Sequence, residues 1–172
     1  MKKIVLLFTA FIGIASLQSC EINDDGDQIF TSEVFEVRAD LTRERGYAQT
    51  FNFSQPSYQG DTVLLYILWE QNGGQDVWRL VPQTVQLGGG DIVTYNYDFT
   101  RNDFRIFLDG NFNLDQMTDQ EYTNIALNQI FRAVVVPGDL VQAKGTAAAD
   151  YSDYYATIKA FGLENAPIKK LK

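Results

Sequence analysis

Four oxygen-bearing side chains alternate through one short run, Asp109-Gly110-Asn111-Phe112-Asn113-Leu114-Asp115. Asp109, Asn111, Asn113 and Asp115 repeat the odd-position spacing with which a calcium loop wraps a hard cation in oxygen. The match is incomplete. The glycine expected at loop position 6 is Leu114, and the bidentate acid expected at position 12 is Gln120, with Glu121 one place late. A turn closed by Asx hydrogen bonds accounts for the same residues. Calcium therefore stands as the lesser alternative, and no cofactor beyond a covalent group is expected. A second constellation is aromatic. Trp69, Trp78, Tyr58, Tyr66, Tyr95 and Tyr97 could stack against sugar rings, with Tyr58 and Trp78 the pair whose exposure on one surface would matter. Most of these residues alternate along apolar segments, where an aromatic side chain is ordinarily core.

Catalytic constellations are thin. Glycoside hydrolysis needs two carboxylates about 5–9.5 Å apart; Glu33, Glu36, Glu44, Glu70 and Asp76 are available, but nothing in their spacing pairs them. No Gly-x-Ser-x-Gly elbow or dinucleotide fingerprint is present, and Gly88-Gly89-Gly90 lacks the Lys-Ser/Thr of a phosphate loop. The chain has no histidine, the usual general base near neutral pH and the commonest metal ligand. Its one cysteine is Cys20. An enzyme is not expected.

Cys20 has chemistry of its own. It ends Leu17-Gln18-Ser19-Cys20, which follows a basic start, Met1-Lys2-Lys3, and a 14-residue apolar run from Ile4 to Leu17. These are the n-, h- and c-regions of a secretory signal in order. The run falls short of the ~20 residues that span a hydrocarbon core, and acids rather than a basic stop follow it. The boundary resembles a bacterial lipobox: a branched apolar residue at −3, a small residue at −1, and a cysteine that is acylated and becomes the first residue. Gln18 departs from the small residue usual at −2, a departure common in lipoproteins of the Bacteroidota. Glu21, Asp24 and Asp25, with Asp27 beyond, resemble the short acidic export signal that sends such lipoproteins to the outer face of the outer membrane. The same acidic, Gly-containing stretch suits a solvated tether. The resemblance thus implies a palmitate-type anchor on Cys20 and an outer-membrane, cell-surface location.

Cleavage after residue 19 leaves 153 residues, one domain's worth. Lys2 and Lys3 leave with the signal, so 12 basic side chains face 22 acidic ones, a net charge of −10. Such a chain repels nucleic acid backbones, and no nucleic acid partner is expected. The basic cluster Ile168-Lys169-Lys170-Leu171-Lys172 reads as a solvated tail. With Cys20 acylated, no disulfide is possible, so apolar burial must hold the domain together; 45% apolar and 13% aromatic residues suffice for that.

The elements follow from periodicity. Phe35, Val37 and Ala39 alternate against Glu36 and Arg38, and Phe51 and Phe53 against Thr50 and Asn52. In Thr62–Glu70 apolar residues occupy both faces, which marks a central strand covered on both sides. Gln71-Asn72-Gly73-Gly74-Gln75 signals a hairpin. Asp76–Leu87 follows, with Pro82 marking an edge or bulge. Asp91–Thr100 alternates clearly, and Phe104, Ile106 and Leu108 form a short strand. Thr118-Asp119-Gln120-Glu121 is a capping box opening a helix to about Asn128, with Tyr122, Ile125 and Ala126 inward. Ile130–Val136 returns to strand. From about Asp150 to Phe161 the spacing of Tyr151, Tyr154, Tyr155, Ile158 and Phe161 predicts an amphipathic helix, placed across one end or edge where it would shield open backbone.

About seven strands with regular turn signals predict a mainly β fold, an antiparallel, immunoglobulin-like β-sandwich with a short helix near 119–128 and a C-terminal helix. The domain plan is a signal peptide at 1–19, an acidic tether at 20–29, the sandwich with its helix at 30–162, and the basic tail at 163–172. Trp78-Arg79-Leu80-Val81-Pro82-Gln83 and Phe131-Arg132-Ala133-Val134-Val135-Val136-Pro137 together resemble segments of small Bacteroidota lipoproteins of unknown function, a likeness over most of residues 33–140. Some of those lipoproteins carry Gly-Pro-rich tracts after the lipid cysteine, which this chain replaces with its acidic tether. The expected function is an accessory or structural subunit of an outer-membrane protein assembly, bound to the membrane through lipid and to an outer-membrane protein partner. The alternative is a surface carbohydrate-binding module with a glycan ligand.

Overall fold

A computed structural model describes residues 32–138 and 150–171. The fold is mainly β: among the described residues there are nine strands in two sheets and two helices. The strands are β1 (Glu33–Ala39), β2 (Ala48–Asn52), β3 (Thr62–Asn72), β4 (Gln75–Leu80), β5 (Gln83–Gln86), β6 (Ile92–Phe99), β7 (Asp103–Gly110), β8 (Gln129–Val136) and β9 (Ile168–Lys170). The helices are α1 (Asp119–Ala126) and α2 (Tyr154–Ala160). One sheet runs β4-β3-β8-β1-β9 and the other β2-β7-β6-β5. All ladders are antiparallel except β1 with β9.

Alternation fills the space between the sheets. Phe35, Val37, Val63, Leu65, Ile67, Phe131 and Ala133 from the first sheet meet Phe51, Val93, Tyr95, Phe104, Ile106 and Leu108 from the second in one buried cluster. Each fully buried large apolar side chain contributes roughly 1.5–3 kcal/mol. Rings cross the gap: Phe35 lies 5.4 Å from Phe53, and Tyr95 meets Phe131 edge-on at 6.0 Å. Polar ends cross it too, since the Tyr97 hydroxyl donates to the Val63 carbonyl at 2.8 Å.

The second apolar face of β3 has the cover its sequence demands. Leu64, Tyr66 and Leu68 join Val34, Val134 and Val136 in a separate cluster roofed by Tyr154 and Ile158 of α2 and by Leu163. The helix therefore lies on the outer face of the five-stranded sheet, not across an end or edge as its sequence position suggested. The reason is demand: an apolar face left in water costs more than an edge whose backbone water can bind. Shielding of the β1 edge falls instead to β9, inside the stretch read as a solvated basic tail. Lys169 pairs there with Glu33, and the Leu171 amide donates to the Glu36 carbonyl at 3.2 Å.

Two further details depart from the periodic reading. The segment expected as one strand from Asp76 to Leu87 divides at Val81-Pro82: β4 stays in the first sheet and β5 enters the second. Proline at the crossing needs no ladder partner for its nitrogen. The β3–β4 turn uses Gly73 and Gly74, both at positive φ (58° and 82°), where a side chain would be strained.

Helix α1 begins at the anticipated capping box. The Glu121 amide donates to Thr118 Oγ1, and the Thr118 amide donates to Glu121 Oε2 at 2.8 Å. Donation from the Thr118 amide, and then from the Thr118 hydroxyl, holds the Glu121 carboxyl below its usual range. Thr118→Ala is expected to cost about 1 kcal/mol, read as a shift in the urea midpoint without change in slope. Ile125 and Ala126 are buried and Tyr122 packs against the core, as the helical spacing indicated.

Candidate functional site

The calcium-like run forms the end of β7 and the turn after it, and its oxygens go to four different neighbours. Asp109 accepts from Asn96 Nδ2 at 2.9 Å, and Asn111 Oδ1 accepts from the Ile92 amide at 2.9 Å. Asn113 Oδ1 accepts from the Asp115 amide at 3.1 Å, and Asp115 accepts from the Tyr47 hydroxyl at 2.7 Å. Two of these bonds tie the turn to β6, one closes a short 3-10 turn over Leu114–Gln116, and one reaches Tyr47. Among the described residues no group of three carboxylates comes together as a metal site would require. The geometry is that of a hydrogen-bonded turn.

The aromatic pair does not converge either. Tyr58 is 42% exposed in the β2–β3 connection, whereas Trp78 is only 7% exposed. Trp78 faces α2, with its ring 5.5 Å from that of Tyr154. A surface pair for sugar stacking is thus not formed. Trp78 alternates to the face that the helix covers, and the helix was expected elsewhere. Trp69 lies under the Arg79 guanidinium at 4.2 Å; Tyr66 and Tyr95 are buried and Tyr97 is partly buried. Cys20, Glu21, Asp24 and Asp25 lie outside the described residues.

What the fold does gather is centred on Arg132, the one charged residue in the apolar run of β8. Its guanidinium lies 4.2 Å from the Trp78 ring centre and 5.4 Å from that of Tyr154. Nε pairs with Glu36 Oε2 at 3.1 Å, and Nη1 donates to the Tyr154 hydroxyl at 3.1 Å. The side chains of Arg132 and Glu36 are 15% and 25% exposed. Strand β8 presents Arg132 beside Glu36 because the two are direct partners in the β1–β8 register. Helix α2 then closes over both. Cation–π contact of this kind is worth roughly 0.5–2 kcal/mol. Sequence periodicity shows Arg132 only as an anomaly in an apolar strand; neither of its aromatic neighbours is adjacent in the chain.

The same helix is held from below by Tyr66. Its hydroxyl lies 2.7 Å from the Tyr151 carbonyl and 2.9 Å from Thr157 Oγ1. Burial pushes the Tyr66 phenol up to about 12, and burial raises Tyr95 as well, whose hydroxyl donates to the Ile125 carbonyl at 2.8 Å. The unfolded chain ionises its tyrosines near pH 10. Above that value the unfolded state loses protons that the folded state keeps, so stability falls as pH rises from about 10 toward 12. Denaturation midpoints are expected to be unaffected by these groups below pH ~10 and to drop above it, with the phenolate absorbance of Tyr66 and Tyr95 appearing only on unfolding. Normal phenolate titration of every tyrosine in folded protein would contradict the buried placement.

Several hollows adjoin these elements among the described residues. One of about 540 Å³ lies between the β3–β4 hairpin and the start of α2, lined by Asn72, Gln75, Asp76, Asp153 and Tyr155. One of about 340 Å³ runs between α2 and β9 over Val34, Arg132, Ile158 and Leu163. One of about 210 Å³ lies at the β1 edge beside Val37, Arg38, Ile130 and Leu171. Comparison with family models, with curated proteins and with solved structures returned no match.

Proposed function

We propose that this chain is a lipid-anchored, non-enzymatic lipoprotein of the outer membrane, displayed at the cell surface, and that it serves as an accessory or structural subunit of an outer-membrane protein assembly. The observation that carries the reading is the position of the single cysteine, Cys20, at the end of a secretory signal. The acidic residues Glu21, Asp24 and Asp25 support export to the outer face. Acyl chains confine a domain to the membrane plane and so raise its effective concentration beside other membrane components. The two facing sheets are read as a β-sandwich. Its finer, immunoglobulin-like description rests on the sequence pattern of short strands alone.

Burial of Trp78 favours the subunit over a surface carbohydrate-binding module, because the indole that would stack on sugar is engaged by Arg132 and Tyr154. Mild detergent extraction followed by affinity purification of the tagged chain is expected to recover a stoichiometric outer-membrane protein. Recovery of the chain alone, together with retention on a polysaccharide matrix, would replace the subunit reading by the glycan one.

A further inference from the structure

We propose that the hollow between the β3–β4 hairpin and the start of α2 binds a sugar, held by the ring edge of Trp78 and the ring face of Tyr155. The inference goes beyond the subunit reading and does not depend on it, since a subunit of an assembly is free to carry a ligand site. What calls for a ligand is the Trp78 indole, which lines this hollow. Trp78 is 7% exposed, and its Nε1 is buried with no hydrogen-bond partner among the described residues. A buried donor left unmet is costly and uncommon in a folded protein. Arg132 and Tyr154 pack against the ring, which closes off stacking there, and neither accepts from its N–H. The unmet edge remains.

The rest of the lining is held in place with hydrogen-bonding capacity to spare. Asp153 Oδ1 accepts from the Tyr155 and Ala156 amides at 2.9 and 3.1 Å, and Asp76 Oδ1 accepts from Gln71 Nε2 at 2.8 Å. The second oxygen of each carboxylate has no protein partner among the described residues. Tyr155 is fixed by its hydroxyl, which donates to the Asp76 carbonyl at 3.0 Å, while the residue stays 57% exposed. A ligand here must accept from an indole N–H and donate to two carboxylates. A hydroxyl does both; an ammonium only donates, and a carboxylate or phosphate would meet like charge. A ring bearing several hydroxyls, with a C–H face to lay on Tyr155, meets the whole set, and that is a sugar. The volume of about 540 Å³ is that of a small-molecule site. A second hollow shares Gln75, Asp76 and Tyr155 with the first and adds Gly74. The site thus continues past Tyr155, with space for a further sugar unit.

The test reads the indole N–H directly. The chain holds two tryptophans, so Trp69 is an internal control in nitrogen–proton correlation spectra. Glucose, galactose, mannose and N-acetylglucosamine are each titrated into the purified full chain, kept in a detergent that contains no sugar. At least one is expected to move the Trp78 Nε1–H signal downfield, saturably, while that of Trp69 stays. Asp76→Asn, which keeps an acceptor for Gln71, is expected to weaken that sugar about tenfold, and Tyr155→Ala about fivefold. If either variant does not fold, the Trp78 signal of the unaltered chain decides alone. No shift with any of the four sugars overturns the inference, as does an equal response in Asp76→Asn. A Trp78 N–H that contacts water throughout the titration also overturns it, and assigns the hollow to solvent. So does a shift with choline in place of sugar, which would make the ligand an organic cation. None of these readouts involves the lipid or a protein partner, so a failure here leaves the Cys20 anchor and the co-purification result standing.

Discussion

Cys20→Ala is expected to abolish membrane attachment. The variant should accumulate as unprocessed precursor or appear in the soluble fraction, and metabolic labelling with palmitate should vanish. The physical ground is additive burial: each acyl methylene contributes about 0.8 kcal/mol, one chain binds only marginally, and stable anchoring takes two or more. A diacylglycerol thioether plus an N-acyl group would exceed that threshold, and replacing the one sulfur that carries the thioether would remove it at once. No helix among the described residues is long and apolar enough to cross a membrane. Cleaved after residue 19 as proposed, the chain would carry a net charge of −10 by its composition, which disfavours adsorption to anionic headgroups. A Cys20→Ala chain that still fractionates with membranes in high salt would refute the assignment, and with it the case for local assembly.

Arg132→Ala is expected to be the costliest single change on the outer face of the five-stranded sheet, at about 3 kcal/mol. Three losses coincide. Glu36 keeps its charge in a mostly covered position without its partner, the Tyr154 hydroxyl loses its donor, and the Trp78 ring loses the guanidinium packed over it. Breaking a buried pair from one side costs roughly 3–5 kcal/mol; the partial exposure of Glu36 places this pair at the lower end. Arg132→Lys should recover only part of the loss, because an ammonium cannot both lie flat on an indole and reach two oxygens. Arg132→Ala with Glu36→Gln should be closer to wild type than the single change, since no uncompensated carboxylate remains. Thermal melting and urea midpoints of the three variants measure this directly. An Arg132→Ala midpoint within error of wild type would show that α2 is held by its apolar contacts alone.

Much of the strand plan is visible in local pattern, because each strand writes its buried face at every second residue. Phe35, Val37, Phe104, Ile106 and Leu108 are recognisable on that basis, and the Thr118–Glu121 box marks the start of α1 within the chain segment itself. Local pattern fails where the decisive contact is distant. Ile168-Lys169-Lys170 has too few residues to show a period, and it becomes a strand only because Glu33 and the β1 edge lie beside it. The calcium-like spacing of Asp109 to Asp115 is indifferent to whether its oxygens converge on an ion or disperse to neighbours. Asn96, Ile92 and Tyr47 take three of the four, and the turn's own Asp115 amide takes the last.

The amino-acid order by itself determined the β-rich class, the doubly covered central strand, the capped helix and the expectation of a lipid on Cys20, since each follows from residues adjacent or periodic along the chain. Tertiary structure alone decided that α2 roofs a sheet face, that Trp78 is buried beneath it, that Arg132 meets Glu36, Trp78 and Tyr154, and that the C-terminal lysines complete an edge. Those outcomes depend on surfaces that exist only after both sheets have formed, when the apolar area still exposed chooses which remaining segment covers it.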